Sequence, residues 1–262
     1  MSELRPVSVN GPVLLAHRGW ASRYPENTRV GIEAALGAGV PCVEFDVQLS
    51  ADAVPVVIHD PTLERTAGIP GRVSDASLAE LTAISVHEPA RFGTRFAGER
   101  LPALADIVAL LEDWPRARAF VEIKRESAES YGVDATVARV LDVLAPVVAQ
   151  CVVISFVERA VQAARRLGAS ATGWVLNYYD DDSRRLADAM APDFLLCDYR
   201  KLAPAPATPW HGPWKWGCYE ITDAVHALAL FERNVQVIES MAAGELASDP
   251  RLNSGCGGVD PA

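Results

Sequence analysis

Two histidines stand beside charged residues at points where short apolar runs end. One run is followed by His17, Arg18 and Gly19, and a later run by His59 and Asp60. Histidine changes charge near neutral pH, and the forked guanidinium of arginine matches a phosphate or a carboxylate. The pattern predicts acid–base chemistry on an anionic substrate. Two alternatives are a basic surface loop at His17-Arg18 and a His59 that only hydrogen-bonds a carboxylate.

Acidic residues alternate along two further apolar runs. Glu44 and Asp46 share one face of a strand, because strand side chains alternate with period two, and Glu122 and Lys124 repeat the pattern. Buried carboxylates on one face repel each other unless a cation lies between them. Mg²⁺ and Ca²⁺ prefer oxygen ligands, so we favour a metal site over a pair held by arginine or lysine. Glu122 is a third candidate ligand, whereas Lys124 is a candidate phosphate contact or a salt-bridge partner.

The elements that must position these residues are strands alternating with helices. Short continuous apolar runs are typical of strands buried on both faces, and alternation with helical patterns predicts a parallel sheet. The predicted strands are Val13–Ala16, Cys42–Gln48, Val54–Ile58, Phe120–Ile123, Val152–Phe156, Thr172–Leu176, Phe194–Cys197, Trp216–Ile221 and Val235–Ile238. The predicted helices are Thr28–Ala38, Leu104–Leu111, Val133–Ala149, Glu158–Leu167, Asp182–Met190 and Ala224–Phe231.

One of these strands does not fit a parallel barrel. Only Ser50–Ala53 separates the second strand from the third, and a parallel crossover needs a dozen residues or more. The two strands therefore form an antiparallel hairpin, and the remaining eight predict a closed (β/α)8 TIM barrel in the α/β class. An open doubly wound sheet is the alternative, weakened by the lack of a Gly-rich loop after the first strand. Pairing Leu49 with Val54 places His59 opposite Glu44, although a one-residue slip reverses the faces.

Two segments depart from the strand–helix rhythm of a single domain over residues 1–262. Residues 61–101 are long and irregular, with one weak helical pattern near Ser77–Ala83, and we expect a small insertion over the barrel mouth. Residues 249–262 form a Gly-rich tail that we expect to be poorly ordered. Ahead of the first long helix, Asn27 or Thr28 is a candidate helix cap, with a catalytic part for Asn27 no more favoured.

Composition narrows the class of partner. The formal net charge of −10 argues against a nucleic-acid ligand, and an anionic substrate then needs local positive charge. The five cysteines are scattered without metal or redox spacing. No apolar run reaches the length of a membrane span, and Met1–Pro12 lacks a signal-peptide pattern. We expect a cytoplasmic location without stable membrane association, and the oligomeric state is left open.

In their order along the chain, these motifs resemble the glycerophosphodiester phosphodiesterase family. The resemblance runs from Leu15 to about Leu246 and is densest in the first half. The matching motifs are His17-Arg18, Pro25-Glu26-Asn27-Thr28, Glu44-Phe45-Asp46, His59-Asp60, Leu63-Glu64-Arg65-Thr66, Leu101-Pro102-Ala103-Leu104, Glu122-Ile123-Lys124 and Ser155-Phe156.

The resemblance implies a TIM barrel with a small insertion that hydrolyses glycerophosphodiesters to an alcohol and glycerol 3-phosphate. It implies a divalent metal, a pair of acid–base histidines whose individual roles stay open, and two cationic side chains that bind the phosphate. The corresponding residues are Glu44, Asp46 and Glu122 for the metal, His17 and His59 for acid and base, and Arg18 and Lys124 for the phosphate.

The late strands depart from the family pattern. Where the family often carries Trp-Thr-Val-Asn, this chain has Tyr219 and Glu220, which we take as candidate residues of the substrate pocket. A cluster of Trp210, Trp214, Trp216 and Tyr219 around His211 fits packing better than cation–π binding of a choline-like group. Two other functions are considered: a phospholipase D-like or sphingomyelinase D-like hydrolase of lysophospholipids, and a barrel that binds a phosphodiester without cleaving it.

Overall fold

The apolar runs of the sequence form nine strands in the computed structural model, which describes residues 11–252. Each strand of the barrel is short and largely buried, as expected for strands covered on both faces. The strands are β1 Val13–Ala16, β2 Cys42–Leu49, β3 Pro55–Val57, β4 Arg118–Ile123, β5 Cys151–Ser155, β6 Ala171–Val175, β7 Phe194–Asp198, β8 Lys215–Tyr219 and β9 Val237–Ser240.

Eight of these strands close into a parallel barrel. The sheet order is β1-β9-β8-β7-β6-β5-β4-β2-β3, and an additional pairing of β1 with β2 closes the ring. Leu15 pairs with Cys42 of β2 on one side and with Glu239 of β9 on the other. Only β3 runs antiparallel, against the second half of β2. The predicted (β/α)8 barrel with a hairpin on its second strand is confirmed.

The register of that hairpin differs from the prediction. Leu49 pairs with Pro55 rather than with Val54, so the predicted placement of His59 opposite Glu44 is wrong by one residue. Val54 belongs to the turn, where its carbonyl accepts from the Ser50 N–H at 3.0 Å. Ala53 closes the turn at φ 58°, a left-handed conformation that alanine rarely signals in a sequence. His59 lies beyond the end of β3, so strand alternation does not control its direction.

Helices follow most strands and cover the outside of the barrel. The helices are α1 Arg29–Gly37, α2 Glu64–Ala67, α3 Leu78–Leu81, α4 Pro89–Phe92, α5 Leu104–Glu112, α6 Arg125–Tyr131, α7 Val133–Leu144, α8 Glu158–Arg166, α9 Asp181–Met190, α10 Ala224–Glu232 and α11 Ala243–Ala247. Two differences from the sequence stand out. α6 is an additional helix with a polar sequence, and α7 ends before Pro146, after which the chain continues as a 3₁₀ segment, Ala145–Gln150. Proline lacks the N–H that would extend the α-helical ladder.

The barrel interior is apolar at its base and charged at the carboxyl ends of its strands. Leu15, Phe120 and Phe194 belong to the inner apolar cluster, and two residues further along β4 the inward position is Glu122. A larger cluster fills the space between barrel and helices. The interior is therefore a packed core that opens only at the end where the predicted site residues lie.

Residues 61–101 contain α2, α3 and α4 and pack around an apolar cluster of their own. Val56 and Ile58 of the hairpin join this cluster, whose other members include Leu63, Leu81 and Leu101. The division of the chain into one domain with an insertion stays a prediction. The predicted flexible tail, residues 249–262, lies outside the described residues beyond Leu252.

Two further expectations concern the cysteines and membrane association. Cys42, Cys151, Cys197 and Cys218 are buried free thiols. Within residues 11–252 no helix is long and apolar enough to cross a membrane. The cytoplasmic location stays a prediction.

Candidate active site

Three buried carboxylates meet at the carboxyl ends of β2 and β4. Glu44, Asp46 and Glu122 each offer an oxygen atom, and these three atoms lie within 4.8 Å of one another. Asp46 and Glu122 are opposite each other in the parallel pairing of β2 with β4. Period-two alternation therefore brings together the residues that the sequence predicted as ligands.

The donor set fits a hard divalent cation. Glu44 Oε2 accepts a hydrogen bond from the backbone N–H of Arg18 at 2.9 Å. Glu44 Oε1, in contrast, is buried without any hydrogen-bond partner in residues 11–252. An unpaired buried carboxylate oxygen is costly, and carboxylate oxygens are the ligands that Mg²⁺ and Ca²⁺ prefer. The three carboxylates could thus hold such an ion.

Without a cation, the carboxylates strongly perturb one another. Burial raises the pKa of Glu44 well above its ordinary value, and the negative charge of Asp46 raises it further. Burial also raises the pKa of Glu122 to about 7, although nearby Lys124 opposes the shift. Burial acts on Asp46 in the same direction, but Lys124 and Arg18 outweigh it and hold the pKa of Asp46 below its usual value. The cluster therefore carries both negative charge and protons that a metal would displace.

Asn27 holds Asp46 in place from the loop before α1. Its side-chain amide donates to Asp46 Oδ2 at 2.8 Å, and its Oδ1 accepts from the Asp46 N–H at 3.0 Å. The helix cap is Thr28, whose hydroxyl oxygen accepts from the Gly31 N–H at 3.2 Å. The sequence offered capping as an alternative for Asn27, and the structure gives it a positioning contact instead.

His17 lies in the mouth of the barrel next to two acids. Its Nε2 is 3.7 Å from Glu239 Oε1 and 4.0 Å from Glu44 Oε2. Burial and the neighbouring Arg18 charge lower the pKa of His17 to about 3. The imidazole is therefore neutral near pH 7 and has a lone pair available.

His59 is tied to the barrel mouth by a chain of ion pairs. Its Nδ1 donates to Asp60 at 2.6 Å, and Arg65 donates to the other oxygen of Asp60 at 2.6 Å. Arg65 also donates to both oxygens of the buried Glu26, at 2.6 and 2.7 Å. Arg18 donates to the same carboxylate at 3.1 Å. Glu26 therefore connects the residues around His59 with the residue that follows His17.

Glu239 is a fourth buried carboxylate whose role the sequence did not reveal. Burial raises its pKa to about 8, and Glu122 and Asp46 add to the shift. Together with His17 and Glu44 it forms a second group of ligand atoms within 4.8 Å of one another. The sequence feature that could have indicated Glu239 was an acidic residue within the apolar run that forms β9. Its nearness to β1 follows only from closure of the barrel.

Several of these side chains line a cavity of about 190 Å³ at the barrel mouth. The sequence-predicted residues that line it include both histidines, both phosphate-binding candidates and the two pocket candidates. The lining is His17, Arg18, His59, Glu122, Lys124, Ile154, Phe156, Val175, Tyr219, Glu220 and Glu239.

The tryptophans of the aromatic cluster lie elsewhere. Trp210 stacks on Tyr179 with ring centroids 4.0 Å apart, and Trp216 packs in the outer apolar cluster between barrel and helices. Trp214 is buried in the same outer cluster. Of the cluster named in the sequence, only Tyr219 lines the cavity, which agrees with a packing role for the tryptophans.

Several proteins with a similar sequence or fold are named as phosphodiesterases. A bacterial glycerophosphodiester phosphodiesterase from Caldanaerobacter subterraneus subsp. tengcongensis is 40% identical over 101 residues, which is 38% of this chain and 41% of that protein. Human glycerophosphodiester phosphodiesterase 1 is 34% identical over 95 residues, which is 36% of this chain and 29% of that protein. The matched region thus spans less than half of either relative.

The fold matches solved structures over nearly the whole chain. A phosphodiesterase from Oleispira antarctica, solved in complex with the product sn-glycerol-3-phosphate, superimposes with a TM-score of 0.79 at 24% identity. The match covers 91% of this chain and 96% of that chain. A sequence profile of the glycerophosphoryl diester phosphodiesterase family matches residues 17–188, more than half of the chain. This chain therefore belongs to the glycerophosphoryl diester phosphodiesterase family.

Proposed function

We propose that this protein hydrolyses glycerophosphodiesters to an alcohol and glycerol 3-phosphate, using a divalent metal ion and two histidines. One observation carries the proposal: both histidines, Arg18 and Lys124 line one cavity beside a buried carboxylate cluster that fits a metal. The names of the relatives, and the product bound to the Oleispira antarctica protein, support the reaction class.

Glu44, Asp46 and Glu122 are the proposed ligands of the metal. When bound, Mg²⁺ or Ca²⁺ supplies positive charge that stabilises the non-bridging phosphate oxygens as negative charge develops. Arg18 and Lys124 are the proposed protein contacts of the phosphate. Lys124 Nζ is fixed 2.7 Å from Glu122 and 3.2 Å from Asp46, so the ammonium is positioned before substrate arrives.

The two histidines differ in their polar partners, and we assign them different halves of the reaction. Neutral His17 is the proposed base, which removes a proton from the attacking hydroxyl of water or of the substrate glycerol. His59 is the proposed acid, which protonates the leaving alkoxide through Nε2. Asp60 accepts from Nδ1 and would stabilise the protonated imidazole. We propose these assignments for the two roles that the sequence left open.

The test compares hydrolysis of glycerophosphocholine, glycerophosphoethanolamine and glycerophosphoglycerol in the presence of a chelator and after addition of Mg²⁺ or Ca²⁺. We expect metal-dependent release of glycerol 3-phosphate that falls by about 100-fold or more in His17→Asn and in His59→Asn. His226→Asn is the matched control, because His226 Nδ1 also lies 2.6 Å from an aspartate, Asp223, but is exposed on α10.

Failure of the folded, metal-loaded protein to cleave any of the three substrates would reject the proposed reaction. Cleavage of lysophospholipids alone would favour the phospholipase D-like alternative. Binding of the diesters without turnover would favour the non-catalytic alternative. Activity that survives chelation and both substitutions would reject the metal and the histidine pair.

A further inference from the structure

The cavity is electrically asymmetric across the barrel. Arg18 follows β1 and Lys124 follows β4, whereas Tyr219 and Glu220 lie at the end of β8. In the closed order of eight strands, β8 is four places from β4 and so lies on the opposite side. Among the lining residues contributed by β5, β6, β8 and β9, none is a lysine or arginine. The lysine and arginine of the lining therefore lie at β4 and β1, with Glu122 also on β4, whereas the end of β8 contributes a carboxylate and no cation.

The end of β8 forms what we call the head-group wall, Tyr219 and Glu220. Within residues 11–252, the Glu220 carboxylate has no hydrogen bond or ion pair. A neighbouring guanidinium, that of Arg200, is already bound by Asp198 at 2.8 Å. The residue is also held at φ 69°, a left-handed conformation that is unfavourable for glutamate and that concentrates at ligand sites. The wall therefore presents an uncompensated carboxylate to the cavity.

We propose that the head-group wall binds a positively charged amino-alcohol group of the substrate. The inference rests on the proposed function and adds the chemical class of the leaving alcohol. With the phosphate between Arg18 and Lys124, one substituent must point away from these cations. A glycerol hydroxyl and an ammonium can both donate to the carboxylate, but only the ammonium also neutralises its charge.

Two cationic head groups fit this wall in different ways. A primary ammonium, as in ethanolamine, donates hydrogen bonds to the Glu220 carboxylate. A quaternary ammonium, as in choline, has no N–H to donate and is attracted by the faces of aromatic rings. Tyr219 supplies a ring on the wall, and Phe156 supplies another on the cavity lining. Tyr219 therefore distinguishes the two head groups experimentally.

The test measures kcat/KM for glycerophosphocholine, glycerophosphoethanolamine and glycerophosphoglycerol, of which only the last has an uncharged head group. In Glu220→Gln, we expect the preference for each substrate with a cationic head group over glycerophosphoglycerol to fall about three- to tenfold. Tyr219→Leu should lower the preference for choline more than that for ethanolamine. Glu112→Gln is the control for net charge, since Glu112 is an exposed residue at the end of α5, at the opposite end of the barrel.

An equal loss for all three substrates in Glu220→Gln would overturn the proposal, because it would place the carboxylate against the glycerol common to them. An unchanged preference would overturn it as well. If the wild-type protein cleaves none of the substrates, the proposed function fails. Calorimetric affinities for glycerophosphocholine and glycerophosphoglycerol then test the head-group wall separately. Tighter binding of glycerophosphocholine that is lost in Glu220→Gln supports the wall, and equal affinities for the two diesters reject it.

Discussion

Arg65 reaches the site from α2 and joins its two halves. Its guanidinium contacts Asp60, which holds His59, and Glu26, which holds Arg18. These contacts hold the pKa of Asp60 at about 2 against the opposing effect of burial, so the carboxylate stays charged. Arg65 does not line the cavity and is therefore a positioning residue.

We predict that Arg65→Met lowers kcat/KM by about 10- to 100-fold, the range typical of residues that support a catalytic group. Loss of the guanidinium leaves Glu26 and Asp60 without their shared partner and frees His59 to move. The readout is the split between kcat and KM: kcat should fall while KM changes little, because His59 loses its orientation, and Arg65→Lys should restore part of the activity. Arg72→Met, at an exposed arginine of the same segment, should leave both constants unchanged. A rise in KM with kcat unchanged would contradict the positioning role.

The sequence predicted which acids lie together wherever their spacing coincides with strand alternation. Glu44, Asp46 and Glu122 are acids at alternate positions of apolar runs, so their common face follows from period two. Glu239 has the same signal, but its neighbour β1 is distant in sequence, and only barrel closure brings it beside His17. The contact of Asn27 with Asp46 could not be predicted, because an asparagine before a helix has capping as a sufficient explanation.

At the scale of elements, the barrel interior must alternate large and small residues to close. Gly173 of β6 faces inward, where an added Cβ would lie 2.8 Å from Ile154 Cγ2 and 3.2 Å from Leu196. We predict that Gly173→Ala destabilises the fold by about 1–3 kcal/mol, because a filled core cannot accept the methyl group without displacing neighbours. The measurement is the free energy of unfolding in urea.

Gly37 provides the matched control for that substitution. It is the last residue of α1, is exposed, and would have no atom within 4 Å of an added Cβ. Gly37→Ala should therefore stabilise the protein by up to about 1 kcal/mol through reduced backbone freedom of the unfolded chain. Equal effects of the two substitutions would show that packing inside the barrel does not limit β6.

Strand positions were predictable because continuous apolar runs between helical patterns have few other uses. The hairpin register was not, since it depends on Ala53 adopting a left-handed conformation that its residue type does not announce. α6 escaped prediction because its polar sequence lacks an apolar stripe, and packing on its neighbours α7 and β2 stabilises it instead.

At the scale of the molecule, two groups of acids have opposite effects on stability. Glu26 and Asp60 have lowered pKa values because arginines hold them charged, so their contribution is present above their ordinary pKa and is lost as the pH falls through the lowered values. Glu44, Glu122 and Glu239 have raised pKa values because they are buried together. Without metal, their contribution is present below their ordinary pKa and is lost as the pH rises from there toward the raised pKa values, about 7 for Glu122 and about 8 for Glu239.

We therefore predict that the chelated protein is most stable in mildly acidic solution, loses stability as the pH rises from about 5 to about 8, and changes little above that range. Added Mg²⁺ or Ca²⁺ should raise the melting temperature more at pH 8 than at pH 6. The ion binds the deprotonated carboxylates, and at pH 6 it must compete with the protons bound to them. Thermal unfolding with and without EDTA measures both effects. Glu44→Gln should abolish the metal-induced increase, whereas Glu112→Gln should preserve it. A metal-induced increase of equal size at both pH values would contradict binding at this cluster.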